Sequence, residues 1–221
     1  MAKNTKELSA EEKLQNRISG FFERNAKTLL ICAAALVVLV AIVVTVTAVS
    51  SANREKAMVR IQGLEETVIG AYAGMEDAAK ADVISSLEAE EKGKSKSYVS
   101  FKASYLKGLA YFQDQNYQAS YDAFMACVSK KSDSYLAPIA LVNAAAAQEA
   151  LGNTTEALDL YNRVTTDYKE SGMGAKALFN SGRIYFQQGN TTLALSVFNQ
   201  LIDTYPSSEY SALAKNIVSV N

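Results

Sequence analysis

The sequence predicts an all-α protein in which a single transmembrane helix precedes an α-solenoid of helical hairpins that ends in a C-terminal capping helix. Residues 28–49 form a run of 22 residues that is rich in Leu, Ile, Val and Ala and contains no charge. In the second half of the chain, a pattern of small and aromatic residues recurs three times at a spacing of 37 residues. A repeat of this length is typical of solenoids in which each unit is one helical hairpin.

The composition narrows the classes of function. The 221 residues carry a formal net charge of −1 with both signs intermixed, so no strong field attracts nucleic acid. Histidine, the commonest general base and metal ligand, is absent. The two cysteines, Cys32 and Cys127, fit packing positions and are too few for a disulfide framework. We therefore expect no enzyme activity, cofactor, metal site or nucleic-acid partner.

The apolar run at residues 28–49 is long enough to cross a bilayer. At about 1.5 Å per residue it spans roughly 33 Å, against a hydrocarbon core of about 30 Å. A cleaved signal peptide is the alternative, for which the small residues Ala48, Ser50 and Ala52 would offer a cleavage site. The apolar stretch of a signal peptide is only about 7 to 15 residues long, which favours a retained membrane anchor.

The charges that flank the span predict its orientation. More basic residues precede the span than follow it, namely Lys13, Arg17, Arg24 and Lys27 before it and Arg54, Lys56 and Arg60 after it. Because positive charge accumulates on the cytoplasmic side, residues 1–27 are expected to be a cytoplasmic tail. Apolar residues recur at helical spacing in this tail, which predicts either an amphipathic helix at the membrane interface or a helical extension of the span: Leu14, Ile18, Phe21 and Phe22.

Residues 50–97 predict an exit helix and a linker. Apolar residues recur in the helix at spacings of three and four, namely Ala57, Ile61, Leu64 and Val68. Gly70 and Gly74 weaken the pattern, and residues 91–97 are polar and rich in Lys and Ser, as is typical of a flexible linker. The repeat domain is therefore expected to cover residues 98–221.

Five positions define the repeat. They are Gly108, Ala145 and Gly182; Gln115, Gly152 and Gly189; Asn116, Asn153 and Asn190; Ser120, Ala157 and Ala194; and Phe124, Tyr161 and Phe198. The two small residues let the helices of one hairpin approach closely, and the aromatic ring is expected to fill the space between a hairpin and its neighbour. Glycine ends the first helix in a left-handed conformation, and the Asn that follows caps the second helix. The repeats are placed near 101–137, 138–174 and 175–206, with a cap at 207–221.

These residues resemble the tetratricopeptide repeat, which places small residues, a Tyr and a closing Pro at these relative positions. The third repeat matches best, with Leu178, Gly182, Tyr185, Gly189, Ala194, Phe198 and Pro206. The period of 37 residues is similar to the longer repeats of the BamD and CpoB (YbgF) families of bacterial envelope proteins.

The layout of the whole chain resembles the YfgM-like family of inner-membrane proteins, because residues 21–27 (Phe-Phe-Glu-Arg-Asn-Ala-Lys) precede a span, an exit helix and repeats. This resemblance implies a periplasmic repeat domain that assists the Sec translocon beside a periplasmic chaperone. The alternative is an assembly or coordination factor for cell-wall or outer-membrane biogenesis. Either function implies protein or peptide partners, with one helix in the membrane.

In a stack of such hairpins the first helices line a concave groove. The period predicts these groove residues: Tyr105, Leu109, Phe112, Val142, Asn143, Ala146, Lys176, Phe179, Asn180, Arg183 and Phe186. One hypothesis is that four of them form a clamp for a peptide carboxylate: Asn143, Lys176, Asn180 and Arg183. The alternative is a merely polar groove edge. The aromatic groove residues could instead be buried by the exit helix folding back into the groove.

Overall fold

The computed structural model describes residues 9–93 and 97–220 of the chain and confirms the all-α fold. The predictions for residues 1–8 of the tail, for linker residues 94–96 and for residue 221 lie outside the described residues. The chain divides into two compact units, residues 1–56 and residues 57–221. The helices are α1 (Ala10–Gly70), α2 (Asp77–Glu91), α3 (Tyr98–Gln113), α4 (Tyr117–Lys130), α5 (Leu136–Ala150), α6 (Thr154–Asp167), α7 (Gly174–Gln187), α8 (Thr191–Thr204) and α9 (Glu209–Ser219), with a 3₁₀ turn at Tyr72–Gly74.

Helix α1 contains the predicted membrane span. Of the helices in the described ranges, it is the one that is long and apolar enough to cross a bilayer, with a mean hydropathy of 3.2 over a window that is nowhere buried. The helix runs without a break from Ala10 to Gly70, so the apolar residues of the tail belong to the same helix as the span. Whether this part of α1 lies at a membrane interface stays a prediction.

Three hairpins follow in the second unit, formed by α3 with α4, α5 with α6, and α7 with α8. Each second helix also packs against the first helix of the next hairpin, so that α4 contacts α5 and α6 contacts α7. The buried side chains of the first two hairpins form one continuous cluster that reaches Ala177 and Ile184 on α7. This order of contacts is that of a helical solenoid.

The recurring small and aromatic residues pack against each other within a hairpin. A Cβ atom placed on Gly108 would lie 2.6 Å from the ring of Phe124, and one on Gly182 would lie 2.5 Å from the ring of Phe198. The Ser120 hydroxyl donates a hydrogen bond of 2.8 Å to the carbonyl of Gly108. The small residue thus makes room for the aromatic ring of its own hairpin, in addition to the contact between hairpins that the sequence predicted.

The turns within the hairpins have the predicted geometry. Gly152 and Gly189 lie in the left-handed region with φ values of 82° and 77°, and Gln115 adopts the same conformation with φ 59°. The side chain of Asn190 accepts a hydrogen bond from the backbone N–H of Leu193 and so caps α8, and Asn116 caps α4 in the same way. Asn153 differs, because its side-chain amide donates to the side chain of Gln148.

The end of α1 and helix α2 belong to the same compact unit as the repeats, whereas the sequence predicted a separate exit helix and linker. Ile61 and Val68 of α1 are buried in one cluster with Leu87 of α2 and Leu106 of α3. The period of 37 residues extends into this region, since Leu87 lies 37 positions before Phe124 and is fully buried. Helix α2 therefore packs on α3 as α4 packs on α5, and the end of α1 completes the buried cluster.

Glu91 joins α2 to the first repeat, although the sequence placed it in the linker. Its carboxylate accepts hydrogen bonds from Lys107 and Ser104 of α3 and from Lys130 of α4. Burial acts to raise the pKa of this carboxyl, but those three hydrogen bonds outweigh burial and hold the pKa below its ordinary value. Glu91 thus binds α2 to the solenoid by charge-assisted hydrogen bonds.

Helix α9 lies where the first helix of a fourth hairpin would begin. Its buried Ala214 is 37 positions after the buried Ala177 of α7. The next residue is the exposed Lys215, at the position where α7 has the buried Leu178. A capping helix requires polar residues on its outer face, where an inner helix of the solenoid would pack against a second helix.

Candidate functional site

The predicted groove residues differ in how accessible they are. Val142 is 1% exposed and is buried in the core, which removes it from the candidate binding surface. Phe112 and Phe186 are exposed, at 36% and 41%, near the C-terminal ends of α3 and α7. The remaining groove residues are half-buried: Tyr105, Leu109, Asn143, Ala146, Lys176, Phe179, Asn180 and Arg183.

Side chains connect the first helices of neighbouring hairpins into one surface. The Asn143 amide of α5 donates a hydrogen bond of 3.3 Å to the Tyr105 hydroxyl of α3. Arg183 of α7 forms an ion pair with Glu149 of α5. At the C-terminal end, the ring of Phe179 lies 5.6 Å from the ring of Tyr210 on α9. The first helices thus present adjoining side chains, as a groove on this face requires.

A polar network lies between the second and third hairpins. The Tyr161 hydroxyl donates to the Glu149 carboxylate over 2.7 Å and accepts from the Asn180 amide over 3.1 Å. The second carboxylate oxygen of Glu149 binds Arg183. Burial, followed by the hydrogen bond to Glu149, raises the pKa of Tyr161 well above its ordinary range, so the hydroxyl stays protonated and donates.

These contacts do not assemble the four residues of the predicted carboxylate clamp. Asn180 and Arg183 are brought together around the carboxylate of Glu149. Arg183 binds this carboxylate directly, whereas Asn180 donates to the Tyr161 hydroxyl, which in turn donates to Glu149. Asn143 contacts Tyr105 instead. Lys176 has no ion-pair partner within 4.0 Å in residues 9–93 and 97–220. A peptide carboxylate at Arg183 would therefore meet a guanidinium whose charge is already paired with Glu149.

The exit part of α1 does not cover the exposed aromatic residues of the groove. It packs instead against the face of α3 that carries Val99 and Leu106. Phe112 remains exposed and makes an edge contact with Tyr117, with ring centroids 5.3 Å apart. Tyr105 is half-buried and packs against the cluster that contains the end of α1, whereas Phe179 is covered by Phe198 and Tyr210 of the third hairpin and the cap.

One residue of this surface could not be recognised from the residue types of the groove. Glu149 lies 37 positions after Phe112 and 37 before Phe186, so a charge interrupts an aromatic position of the repeat and could have indicated a partner for Arg183. The exposed apolar residue that follows α5, Leu151, lies two positions further along and so on another side of the helix.

Metal and thiol chemistry find little support in this surface. The described ranges contain no group of three or more Cys, Asp or Glu side chains that could hold a metal ion. Cys127 is fully buried, and burial raises the pKa of its thiol to about 12. A thiol with such a pKa is a packing residue and a poor nucleophile at neutral pH.

Comparison with known proteins identifies the repeats. A family model described as the tetratricopeptide repeat matches residues 139–171 and 176–208, which are the second and third hairpins. No curated protein matches the chain. Two crystal structures have a similar fold, both of a putative kinesin light chain from Podosopora anserina with nearly identical TPR-like repeats, and one of them is of a variant. Each has a TM-score of 0.55 at 11% sequence identity, and the match covers 75% of this chain and 84% of that chain. The chain therefore carries tetratricopeptide repeats in an all-helical solenoid.

Proposed function

We propose that the protein is a membrane-tethered scaffold that binds other proteins through the groove of its first helices. The observation that carries this proposal is the adjoining surface of α3, α5 and α7, with Phe112 and Phe186 exposed near the ends of α3 and α7. Exposed aromatic side chains next to hydrogen-bonding amides are typical of surfaces that bind protein segments. Apolar residues 28–49 of α1 provide the tether.

The proposed location is the inner membrane of a bacterium, with the N-terminus in the cytoplasm and the repeats in the periplasm. The excess of basic residues before the span supports this orientation. The layout of residues 21–27, the span and the repeats, which resembles the YfgM-like family, supports the compartment. A folded repeat domain in the periplasm could bind newly translocated chains or the proteins that receive them.

Within this location we favour an accessory role at the Sec translocon as a co-chaperone. The resemblance to the YfgM-like family supports it, and the groove offers both apolar and polar contacts to a segment that is still unfolded. The resemblance of the repeats to the BamD and CpoB families supports the alternative, an assembly factor for the cell wall or the outer membrane. The two roles differ in the identity of the bound proteins.

Chemical crosslinking of the full-length protein in its native membrane, followed by mass spectrometry of the proteins that co-purify, tests this proposal. We expect translocon subunits together with a periplasmic chaperone. Wall-synthesis or outer-membrane assembly proteins without the translocon would overturn the co-chaperone role and favour the alternative. Crosslinks to no protein at all would overturn the scaffold itself.

A further inference from the structure

A cavity of about 530 Å³ lies between α2 and the C-terminal end of α3, where Asp114 contributes to its lining. The cavity is shallow and open to solvent, which suits a surface contact with another chain. One stripe of α2 forms the wall, with Asp77, Ala81, Ile84 and Glu88 at spacings of four, three and four residues. The stripe therefore has an apolar centre between two carboxylates.

The charge of the cavity is unbalanced. Asp114 at one end is neutralised by Lys80, which donates to it over 2.7 Å, and it also accepts from the Tyr72 hydroxyl over 2.7 Å. The side chains of Asp77 and Glu88 have no hydrogen-bond or ion-pair partner among the described residues. Three carboxylates and one ammonium group leave two negative charges that face the cavity.

The two unpaired carboxylates are separated by eleven positions of α2, which is about 16 Å along the helix. An extended chain covers that distance in about five residues. Between the carboxylates, Ile84 is only partly buried and offers an apolar contact. A ligand complementary to this wall carries two cations about five residues apart with an apolar side chain between them.

We propose that this cavity is a second docking surface, which binds a basic segment of a partner protein. A Lys or Arg at each end of the segment pairs with Asp77 or Glu88, and an apolar side chain between them contacts Ile84. None of the residues that line the cavity is one of the predicted groove residues. Binding here therefore adds a contact to the proposed scaffold through side chains other than those of the groove.

The test uses the full-length protein in its native membrane with a photoreactive benzoyl-phenylalanine at Ser85, which lines the cavity, and in a separate preparation at Lys176 in the groove. Mass spectrometry then identifies the crosslinked peptide. The proposal expects the Ser85 probe to capture a segment with two basic residues that flank an apolar residue. Asp77→Asn with Glu88→Gln should lower the yield about fivefold or more, because exposed ion pairs are lost.

The matched control is Glu76→Gln with Asp82→Asn, which removes the same charge from positions that do not line the cavity. This control should leave the yield unchanged. Absence of any adduct at Ser85, capture of a segment without basic residues, or equal yields from the two double variants would overturn the proposal. An adduct at Lys176 without one at Ser85 removes only this second surface, whereas the reverse result removes the groove and keeps the cavity.

Discussion

Replacing Gly182 by Ala should destabilise the repeat domain, although alanine is the better helix former. Gly182 lies inside α7, and a Cβ atom there would come within 2.5 Å of Cε1, 2.8 Å of Cδ1 and 2.9 Å of Cζ of Phe198. The Phe198 ring is 1% exposed and is packed in a cluster with Ala194 and Leu201, so it cannot withdraw without disturbing its neighbours.

The size of the effect follows from two opposing contributions. Overpacking of a filled core costs about 1 to 3 kcal/mol, and the change from Gly to Ala within a helix returns up to about 1 kcal/mol. With a mid-range overpacking cost of about 2 kcal/mol, the net loss is about 1 kcal/mol. For a unit of this size, 1 kcal/mol shifts the melting temperature by about 2 to 4 °C. The Gly182→Ala protein should accordingly melt about 2 to 4 °C below the parent.

Gly63→Ala is the matched control, because Gly63 is also inside a helix but a Cβ there would meet nothing within 4 Å. Only the gain in helix propensity remains, so the melting temperature should rise by about 2 to 4 °C. Thermal unfolding of the full-length protein in detergent, followed by far-ultraviolet circular dichroism, measures both variants. A Gly182→Ala protein as stable as the Gly63→Ala protein would refute the close contact between Gly182 and Phe198.

Three further predictions concern single side chains. Gln115→Gly should stabilise the domain by about 1 kcal/mol in denaturant unfolding, because Gln115 has a φ of 59° that costs an L-residue about 1 to 2 kcal/mol; an unchanged midpoint would contradict the left-handed turn. The pKa of Glu91 is lowered on folding, so its contribution to stability is present above the ordinary value of 4.5 and is lost as the pH falls below it. Glu91→Gln should therefore flatten the acid limb of a plot of the free energy of unfolding against pH. An unaltered limb would show that Glu91 makes no such contribution. Cys127, with a thiol pKa of about 12, should react with a maleimide at neutral pH only after unfolding; rapid labelling of the folded protein at this residue would contradict its burial.

The hairpins could be predicted from the sequence because their geometry fixes the residue type at a few positions. A left-handed turn favours glycine, as at Gly152 and Gly189, and a close helix contact requires a small residue, as at Gly182. These requirements recur at a spacing of 37 residues, so the period was visible without a structure.

The packing of α2 and the end of α1 against α3, and the polar network, could not be predicted in the same way. Val83 and Leu87 occupy the positions of Ser120 and Phe124, so the period continues while the residue types change. The pair of Arg183 with Glu149 joins two different hairpins, and its formation depends on the direction of each side chain across the interface. The spacing of residues on one helix carries no information about such a contact.

If partner proteins bind through the exposed residues of the first helices, as proposed, removal of those residues should release the partners, and quantitative co-purification from native membranes measures this release. Phe112→Ser with Phe186→Ser would be compared with Val59→Ser and Leu193→Ser, which change apolar residues that are at least as exposed and are not groove residues. We expect the groove variant to lose its partners about tenfold or more, because two aromatic contacts are lost, while the control retains them. Retention of the same partners by both variants would contradict binding through the groove.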